Sequence, residues 1–260
     1  MNKIIQTKQA VVRDILMNYY VIPNAGQVAG TILFLHGWGA DGAIWFPVMQ
    51  ALIDKSLTLY SIDFPGFGKS EMPPKAFSVD DYAETVKEFI QKLALKNCFV
   101  VAHSFGGRVA IKLTARYPDL IQKLVLVDSA GVRLKSQKLI FKQSFVRTLK
   151  PLLRLPLLRM LRPYAYRWFA SEDYLAYPQL RETFIKVVNE DLTSILPRIT
   201  SKTLLIWGSE DHDTPLQAAN IMQKNIRHAR LVVLKNAGHF SFLDDQHVFL
   251  KALQEFLLFT

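Results

Sequence analysis

Three short polar segments of the sequence carry residue types that together could perform nucleophilic catalysis. In the first, AHSFGG (102–107), Ser104 lies between a predicted strand and a predicted helix. A serine in such a sharp turn projects its hydroxyl out of the chain, and the small residues Ala102 and Gly106 let strand and helix pass closely. The amide of Phe105 would then begin the helix, where unpaired N–H groups favour an oxyanion. Alone, the segment is also compatible with an ordinary tight turn.

Two further segments could supply the base and the carboxylate that an activated serine requires. His239 follows the last predicted strand, and histidine titrates near neutral pH, so it can take the proton of a serine hydroxyl and return it later. Asp211 follows the predicted strand TLLIW, and a carboxylate there could hold the imidazole in the correct tautomer. Asp213 is the alternative for this role, and Glu210 is a weaker one. Together the three segments predict acyl transfer to Ser104.

Short apolar runs that predict buried strands precede each of these segments. Their hydrophobicity is continuous rather than alternating, which is typical of strands covered on both faces in a parallel sheet. The runs are 31–35, 57–62, 98–102, 123–127, 203–207 and 231–234. The candidate residues therefore lie at the carboxyl ends of strands, the edge at which parallel sheets bind their ligands.

Helical patterns fill most of the gaps between these runs. They cover 78–95, 105–116, 216–224 and 248–258. In the first of them, Ser78 can cap the N-terminus, Asp80 and Asp81 suit the first turn, and apolar residues recur at helical spacing. The alternation predicts an α/β fold with right-handed crossovers and a mainly parallel sheet flanked by helices.

The region 131–197 breaks this alternation. It has helical periodicity but no clear strand, and its prolines limit it to several short helices. These prolines are Pro151, Pro156, Pro163 and Pro178. We therefore predict a core formed by 1–130 and 198–260, with 131–197 inserted as a helical cap.

The predicted cap also carries the positive charge of the sequence. The 260 residues have a net charge of +10, and no acidic residue lies between Asp128 and Glu172. The basic residues of that stretch equal the whole excess, and they are Arg133, Lys135, Lys138, Lys142, Arg147, Lys150, Arg154, Arg159, Arg162 and Arg167. This pattern is compatible with a solvated face, with an acidic carrier protein as partner, or with an anionic membrane surface. Nucleic acid is not expected, because no binding module is present.

The cysteine content and the N-terminal segment indicate a compartment. Cys98 is the single cysteine, which excludes an internal disulfide and fits a reducing environment. The segment MNKIIQTKQAVVRD lacks the apolar stretch and the cleavage site of a secretory signal. Because no run of about 18 uncharged apolar residues occurs either, a cytoplasmic location is expected.

These motifs resemble those of the α/β-hydrolase family over nearly the whole chain. Ser104, Asp211 and His239 stand in the family's order along the chain, which is neither the chymotrypsin nor the subtilisin order. The segment HGWG is similar to the family's oxyanion loop, which implies that the backbone N–H of Trp38 binds the oxyanion together with that of Phe105. DFPGFGKS is similar to the family's loop after the next strand. The resemblance implies an α/β-hydrolase fold with an inserted helical cap.

The resemblance also favours one kind of reaction. Ser104 stands where haloalkane dehalogenases and epoxide hydrolases carry aspartate, so those two activities are not expected. LFLHGWGADGAIW and DFPGFGKS are similar to parts of the pimeloyl carrier-protein methyl ester esterases, which is one reason to consider an acidic carrier protein. We predict a serine hydrolase acting on a small-molecule carboxylic ester, with a thioester or a carbon–carbon bond next to a ketone as alternatives.

Other motifs compete with this interpretation. GWGADG (37–42) matches the G-x-G-x-x-G turn of dinucleotide-binding proteins, but bulky Trp38 lies inside it and the serine, aspartate and histidine would be left unexplained. GKS ends like a phosphate-binding loop, yet Asp63 occupies the position of the required glycine. No His/Cys/Glu spacing suggests a metal site. We therefore expect neither cofactor nor metal, and a non-catalytic small-molecule receptor is the competing class.

Overall fold

The computed structural model describes residues 4–24, 30–53, 56–134 and 176–259. Its strands are β1 (Gln6–Val12), β2 (Ile15–Ile22), β3 (Gly30–Leu35), β4 (Leu57–Ile62), β5 (Cys98–His103), β6 (Lys123–Val127), β7 (Lys202–Gly208) and β8 (Ala229–Leu234). They form one 8-stranded sheet in the order β1-β2-β4-β3-β5-β6-β7-β8. The strands from β3 onward pair in parallel, whereas β1 and β2 form an antiparallel hairpin that joins the sheet through β4.

Helices follow the parallel strands and cover both faces of the sheet. They are α1 (Phe46–Ala51), α2 (Val79–Lys92), α3 (Phe105–Arg116), α4 (Arg181–Asn189), α5 (Leu216–Asn225), α6 (Ser241–Asp244) and α7 (Gln246–Phe259). Short 3-10 helices span Gly42–Trp45, Pro118–Leu120, Pro178–Leu180 and Thr193–Arg198. This arrangement is the predicted α/β-hydrolase fold, with a mainly parallel sheet flanked by helices.

Alternate side chains of each central strand enter two separate apolar cores. In β3, Leu33 and Leu35 pack with α2, α3 and α5 on one face, and Ile32 and Phe34 pack with α1 and α7 on the other. All four side chains are fully buried. Burial on both faces explains why these strands are continuously apolar in the sequence.

The sequence predictions for the central elements are confirmed to within a few residues. All six predicted strands and all four predicted helices are present, and Ser78 caps α2 in a reciprocal pair of hydrogen bonds with Asp81. The hairpin of β1 and β2 was not predicted. β1 lies at the edge of the sheet, and most of its residues are exposed, so it lacks the apolar run that marks the other strands.

Most of the predicted cap falls outside the described residues. The described parts of 131–197 contain α4 and two 3-10 helices, and the division into core and cap stays a prediction. Of the ten basic residues of the cap, Arg133 alone lies within the described ranges. Among the helices of the described part of the chain, none has the length and apolar character needed to span a membrane. The cytoplasmic location also stays a prediction.

Candidate active site

Three loops at the carboxyl edge of the sheet bring Ser104, Asp211 and His239 into contact. Ser104 follows β5, Asp211 follows β7 and His239 follows β8. Nε2 of His239 lies 3.0 Å from Oγ of Ser104, and Nδ1 lies 3.0 Å from Oδ2 of Asp211. The imidazole therefore connects the hydroxyl to the carboxylate in one hydrogen-bonded chain, as the sequence predicted for these residues.

Ser104 occupies a strained turn between β5 and α3. Its φ of 49° and ψ of −112° lie outside the regions that residues with a side chain normally adopt. Gly106 lets α3 approach β3 very closely after this turn, because a Cβ at this position would lie 2.6 Å from the carbonyl oxygen of Leu35. The backbone N–H of Ser104 donates to the carbonyl of Val127 at 3.1 Å, which ties the turn to β6.

Three hydrogen bonds hold the Asp211 carboxylate in place in addition to its contact with His239. Oδ1 accepts the backbone N–H groups of Asp213 and Thr214, each at 2.9 Å, and Oδ2 accepts the hydroxyl of Thr214 at 2.5 Å. The Asp211 side chain is completely buried, whereas Asp213 and Glu210 are exposed. Of the three acidic residues considered from the sequence, the structure brings Asp211 to the imidazole.

The electrostatics of the pair favour a histidine that accepts a proton. Burial lowers the pKa of His239, but the hydrogen bond and the charge of Asp211 outweigh it and raise the pKa above 6.5. Burial likewise raises the pKa of Asp211, but its bonds to His239 and Thr214 leave that pKa below its ordinary value. An ionised Asp211 in this position can stabilise a positively charged imidazole.

Asp128, which the sequence predictions did not include, connects the loop that carries Asp211 to the loop that carries His239. Its Oδ1 accepts the N–H of Gly208 at 2.8 Å, and its Oδ2 accepts the N–H and the hydroxyl of Ser241 at 3.2 and 2.5 Å. Burial raises the pKa of this carboxyl to about 7, against the effect of those donors. Its position directly after a buried strand, β6, was the signal that could have identified it.

Phe105 and Trp38 carry the two backbone amides that the sequence predicted as donors to an oxyanion. Phe105 is the first residue of α3, where an N–H has no acceptor within the helix. In the other loop, Nε2 of His36 accepts the N–H of Phe64 at 3.0 Å, so Nδ1 carries the proton and donates to the carbonyl of Gly37 at 2.7 Å. Because a trans peptide directs its N–H opposite to its C=O, the N–H of Trp38 points away from His36. His36 thus orients the peptide that carries this amide, a role that the sequence predictions missed.

The segment DFPGFGKS braces this loop. Asp63 is fully buried; its Oδ1 accepts the N–H of Gly42 at 2.7 Å, and its Oδ2 accepts from Asn18 and Lys69 at 2.9 and 2.8 Å. The aspartate therefore ties β2, the loop after β3 and its own loop together. Both glycine-rich segments that resembled nucleotide-binding motifs meet at this carboxylate, since a Cβ on Gly68 would lie 2.3 Å from its Oδ2.

A cavity of about 400 Å³ opens in front of Ser104 and His239. The described residues that line it are Gly37, Trp38, Ala40, His103, Ser104, Phe105, Arg108, Ala130, Phe184, Val187, Val188, Asp213, Thr214, His239 and Phe240. Trp38 packs edge-to-face against Phe67, Phe105, Tyr177 and Phe184. The predicted nucleophile, base and oxyanion amides therefore belong to residues that share one cavity, which is lined by both apolar and polar side chains.

One group of described residues has the donor atoms for a metal ion. Asp211, Asp213 and His239 place one potential ligand atom each within 4.8 Å of one another. However, Nδ1 of His239 and Oδ2 of Asp211 are bonded to each other, and Asp213 is exposed. The geometry is thus accounted for by the contact of base and carboxylate.

Comparison with known proteins shows which family the chain belongs to. The sequence model described as "Alpha/beta hydrolase family" matches residues 32–252. The AB hydrolase superfamily protein YisY of Bacillus subtilis is 26% identical over 233 residues, which cover 83% of this chain and 87% of that protein. Human monoacylglycerol lipase ABHD6 is 26% identical over 258 residues, which cover 87% of this chain and 75% of that protein. A 2-hydroxy-6-oxononadienedioate/2-hydroxy-6-oxononatrienedioate hydrolase of Pseudomonas sp. is 25% identical, covering 91% and 90%.

Solved structures with the same fold include lipolytic enzymes. A bacterial membrane phospholipase A superimposes with a TM-score of 0.79 at 23% identity, covering 97% of this chain and 86% of that one. The esterase from Exiguobacterium antarcticum superimposes with a TM-score of 0.72 at 24% identity, covering 96% and 99%. At these identities, the likeness concerns the fold.

Proposed function

Because the chain belongs to the alpha/beta hydrolase family, we propose that it hydrolyses carboxylic esters through an acyl-enzyme, with Ser104 as nucleophile, His239 as general base and Asp211 as the residue that orients His239. The observation that carries this proposal is the continuous hydrogen-bonded chain from Ser104 Oγ through the imidazole to Asp211 Oδ2, with 3.0 Å at each step. Such a chain activates a hydroxyl that is otherwise a weak nucleophile.

In the first half of the proposed reaction, the enzyme is acylated. His239 takes the proton of Ser104 while Oγ attacks the ester carbonyl, and the negative charge moves to the carbonyl oxygen. The N–H groups of Trp38 and Phe105 bind this oxyanion, a stabilisation worth about 3 kcal/mol for a single donor. As the tetrahedral intermediate collapses, the bond to the alcohol breaks, and His239 gives its proton to the leaving oxygen.

Water releases the acid in the second half. His239 now takes a proton from a water molecule, whose oxygen attacks the acyl carbonyl. The same two amides bind the second oxyanion. When it collapses, the bond to Ser104 Oγ breaks, the serine recovers its proton from His239, and the carboxylic acid leaves. The cycle consumes one water molecule and requires neither a cofactor nor a metal ion.

The relatives support an ester or lipid substrate of small size. One relative is named a monoacylglycerol lipase, and structures of the same fold are named an esterase and a phospholipase A. The apolar side of the cavity, with Trp38, Phe105, Phe184 and Val187, suits an acyl chain. The Pseudomonas relative is named a hydrolase of 2-hydroxy-6-oxo acids, which makes a carbon–carbon bond next to a ketone the second candidate for the bond that is hydrolysed. A thioester stays an alternative from the sequence.

An acidic carrier protein or an anionic membrane surface stays a proposal for the basic residues of the cap. The two partners predict different assays. Anionic vesicles would raise the rate on long-chain lipid esters, whereas a carrier protein would lower the KM of its own tethered ester. Both effects would weaken as salt is added, because screening shortens the range of the charges to about 8 Å at physiological ionic strength.

The direct test combines a fluorophosphonate probe with 4-nitrophenyl esters of increasing chain length. We expect the wild type to be labelled and to turn over short and medium esters. Ser104→Ala should abolish labelling and lower kcat by about six orders of magnitude. Ser209→Ala is the matched control, because Ser209 lies exposed after β7, where its Oγ accepts the N–H of Asn236.

Two results would contradict the proposal in different ways. If the wild type is neither labelled nor active on any ester, Ser104 is not activated, and a non-catalytic receptor becomes the better explanation. If Ser104→Ala keeps the activity of the wild type, another group performs the chemistry. Loss of activity in Ser209→Ala to the same degree would point to general damage of this edge of the sheet.

A further inference from the structure

Arg108 brings a buried positive charge to the cavity of the proposed reaction. It lines the same cavity as Ser104 and His239, and only 9% of its surface is exposed. A charge held away from water is costly unless it is paired and hydrogen-bonded, so a buried arginine is normally found opposite a carboxylate. The side chain lies on α3, the helix that Ser104 precedes directly.

Within the described residues, Arg108 is only partly satisfied. Its Nη1 donates to the backbone carbonyl of Glu190 at 2.6 Å, but a guanidinium has five N–H groups to donate. No described carboxylate oxygen lies within 4.0 Å of it. The carboxylate of Glu190 instead pairs with Lys112 at 2.6 Å, and that of Asp191 accepts the N–H and the hydroxyl of Thr193.

Arg108 lies in the first turn of the helix that Ser104 precedes, and both residues line the cavity. Side chains of a helix lean toward its N-terminus, which here is the end next to Ser104. Arg108 stands four positions after Ser104, about 6 Å further along the helix axis. The only other charged side chain among the described residues of the cavity, apart from the titrating histidines, is that of Asp213, which is exposed to solvent.

We propose that Arg108 binds a second, anionic group of the ester substrate, most simply a carboxylate. This group is distinct from the carbonyl oxygen that becomes negatively charged during the reaction. This inference rests on the proposed ester hydrolysis and narrows it to esters with a second, negatively charged end. The planar fork of the guanidinium matches the two oxygens of a carboxylate, and its burial strengthens the attraction. Burial lowers the pKa of Arg108 to about 10, so the group is still a cation at neutral pH.

Matched ester pairs test this inference and locate the anion. 4-Nitrophenyl hydrogen adipate and its methyl ester differ by a carboxylate on the acyl side. 4-(Butyryloxy)benzoate and its methyl ester differ by a carboxylate on the alcohol side. For the pair with the charge on the correct side, we expect the wild type to favour the anionic member by about 10- to 100-fold in kcat/KM, the range for a hydrogen bond to a charged group.

Arg108→Gln should remove this preference, and Arg108→Lys should keep part of it, because the charge remains without the fork. Lys112→Met is the control: it removes a cation that touches the same Glu190 one helical turn away but does not line the cavity. We expect it to keep the wild-type ratio. If Arg108→Gln does not fold, the inhibition constants of adipate and of uncharged 1,6-hexanediol are compared on the wild type. Stronger competitive inhibition by adipate is expected, and equal inhibition by the two compounds would contradict the proposal.

The outcomes separate this inference from the proposed function. A wild type that hydrolyses the neutral esters without preferring the anionic member of either pair overturns the role of Arg108, as does an unchanged ratio in Arg108→Gln. Arg108 would then only anchor Glu190. A wild type that is inactive on all four esters and resists the fluorophosphonate instead overturns the ester hydrolysis itself.

Discussion

The two walls of the cavity hold their residues by different means. The triad wall consists of Ser104, Thr214 and His239, which line the cavity, and of Asp211 and Asp128, which do not line it. Hydrogen bonds of 2.5 to 3.2 Å between buried or half-buried polar groups hold these residues in place. The other wall, which we call the aromatic wall, consists of Trp38, Phe105 and Phe184, which line the cavity, and of Phe67 and Tyr177, which pack against Trp38. The ring centroids of these four neighbours lie 5.0 to 6.4 Å from that of Trp38. One wall is positioned by directional bonds and the other by contact area.

This difference predicts how each wall responds to substitution. On the triad wall, the loss of one atom leaves a buried partner without its hydrogen bond and misplaces a reacting group, so the effects on rate are large. On the aromatic wall, the contacts are shared among several rings, and each pair contributes about 1 kcal/mol. Replacement there should change substrate binding gradually, while the chemistry continues.

Asp211→Asn is expected to have the largest effect among the residues that do not react covalently. An amide can donate to Nδ1 of His239, which favours the wrong tautomer and leaves the imidazolium unstabilised. By analogy with the same change in another Ser-His-Asp triad, kcat should fall about 10⁴-fold. Steady-state kinetics on 4-nitrophenyl butyrate measure the loss.

Asp213→Asn is the matched control for this change. Asp213 lies two positions away at the same cavity, but its side chain is exposed, and its described hydrogen bond is made by its backbone N–H. We expect a change in kcat of less than about tenfold, because an exposed charge is screened by solvent. If Asp213→Asn costs more than Asp211→Asn, the assignment of the carboxylate on the triad wall is wrong.

Asp128→Asn should have the next largest effect, since this carboxylate links the loop of Asp211 to the loop of His239. At about pH 8 the Asp128 carboxyl is mostly ionised, because its pKa is raised to about 7, and both of its oxygens accept hydrogen bonds. The asparagine side chain has only one oxygen, so its NH2 group would face a donor of Gly208 or Ser241 and one hydrogen bond would be lost. We expect unfolding to cost about 1–3 kcal/mol less and kcat to fall up to about 100-fold.

The control for Asp128 is Asp191→Asn. This exposed carboxylate also accepts an N–H and a hydroxyl, those of Thr193, but it does not line the cavity. Urea unfolding and kcat are measured for both variants. If Asp128→Asn lowers stability while kcat stays at the wild-type value, the link between the two loops is structural and does not position the triad.

The pH dependence of the wild type gives a third prediction. His239 accepts a proton only when it is neutral, so kcat/KM should rise with pH through its pKa, which Asp211 holds above 6.5. In Asp211→Asn the hydrogen bond and the charge that raise this pKa are lost, while burial still lowers it. The rise should therefore move to lower pH. A rise at the same pH in both proteins would mean that another group controls the rate.

The two walls also differ in how far the sequence could predict them. Ser104, Asp211 and His239 each follow a continuously apolar strand, and the fold brings the ends of such strands to one edge, so residue type and order were sufficient. Asp128 and Ser241 are 113 positions apart, and no local pattern relates them. No local pattern identifies the role of His36 either, because its tautomer depends on the backbone N–H of Phe64, 28 positions later.

The aromatic wall and the edge hairpin were not predictable for a physical reason. Tyr177 and Phe184 come from the region predicted as a cap, in which helical periodicity gives no direction relative to the sheet. Trp38 was predicted for its backbone amide, and its indole contacts are non-local. β1 and β2 pair antiparallel at the edge, where polar residues of β1 face solvent and hide the strand pattern.

Trp38→Phe should have the smallest effect and is the sharpest test of the aromatic wall. The substitution keeps the backbone N–H that we propose for the oxyanion and removes only part of the indole. Nε1 of that indole is buried without a hydrogen-bond partner among the described residues, so its loss leaves no described group unpaired. We expect stability to fall by about 1 kcal/mol, kcat to stay within about threefold, and KM to rise for esters with longer acyl chains, the pattern of lost uniform binding. If kcat instead falls 100-fold while KM is unchanged, the indole acts in the transition state, and the division between a chemical wall and a shaping wall fails.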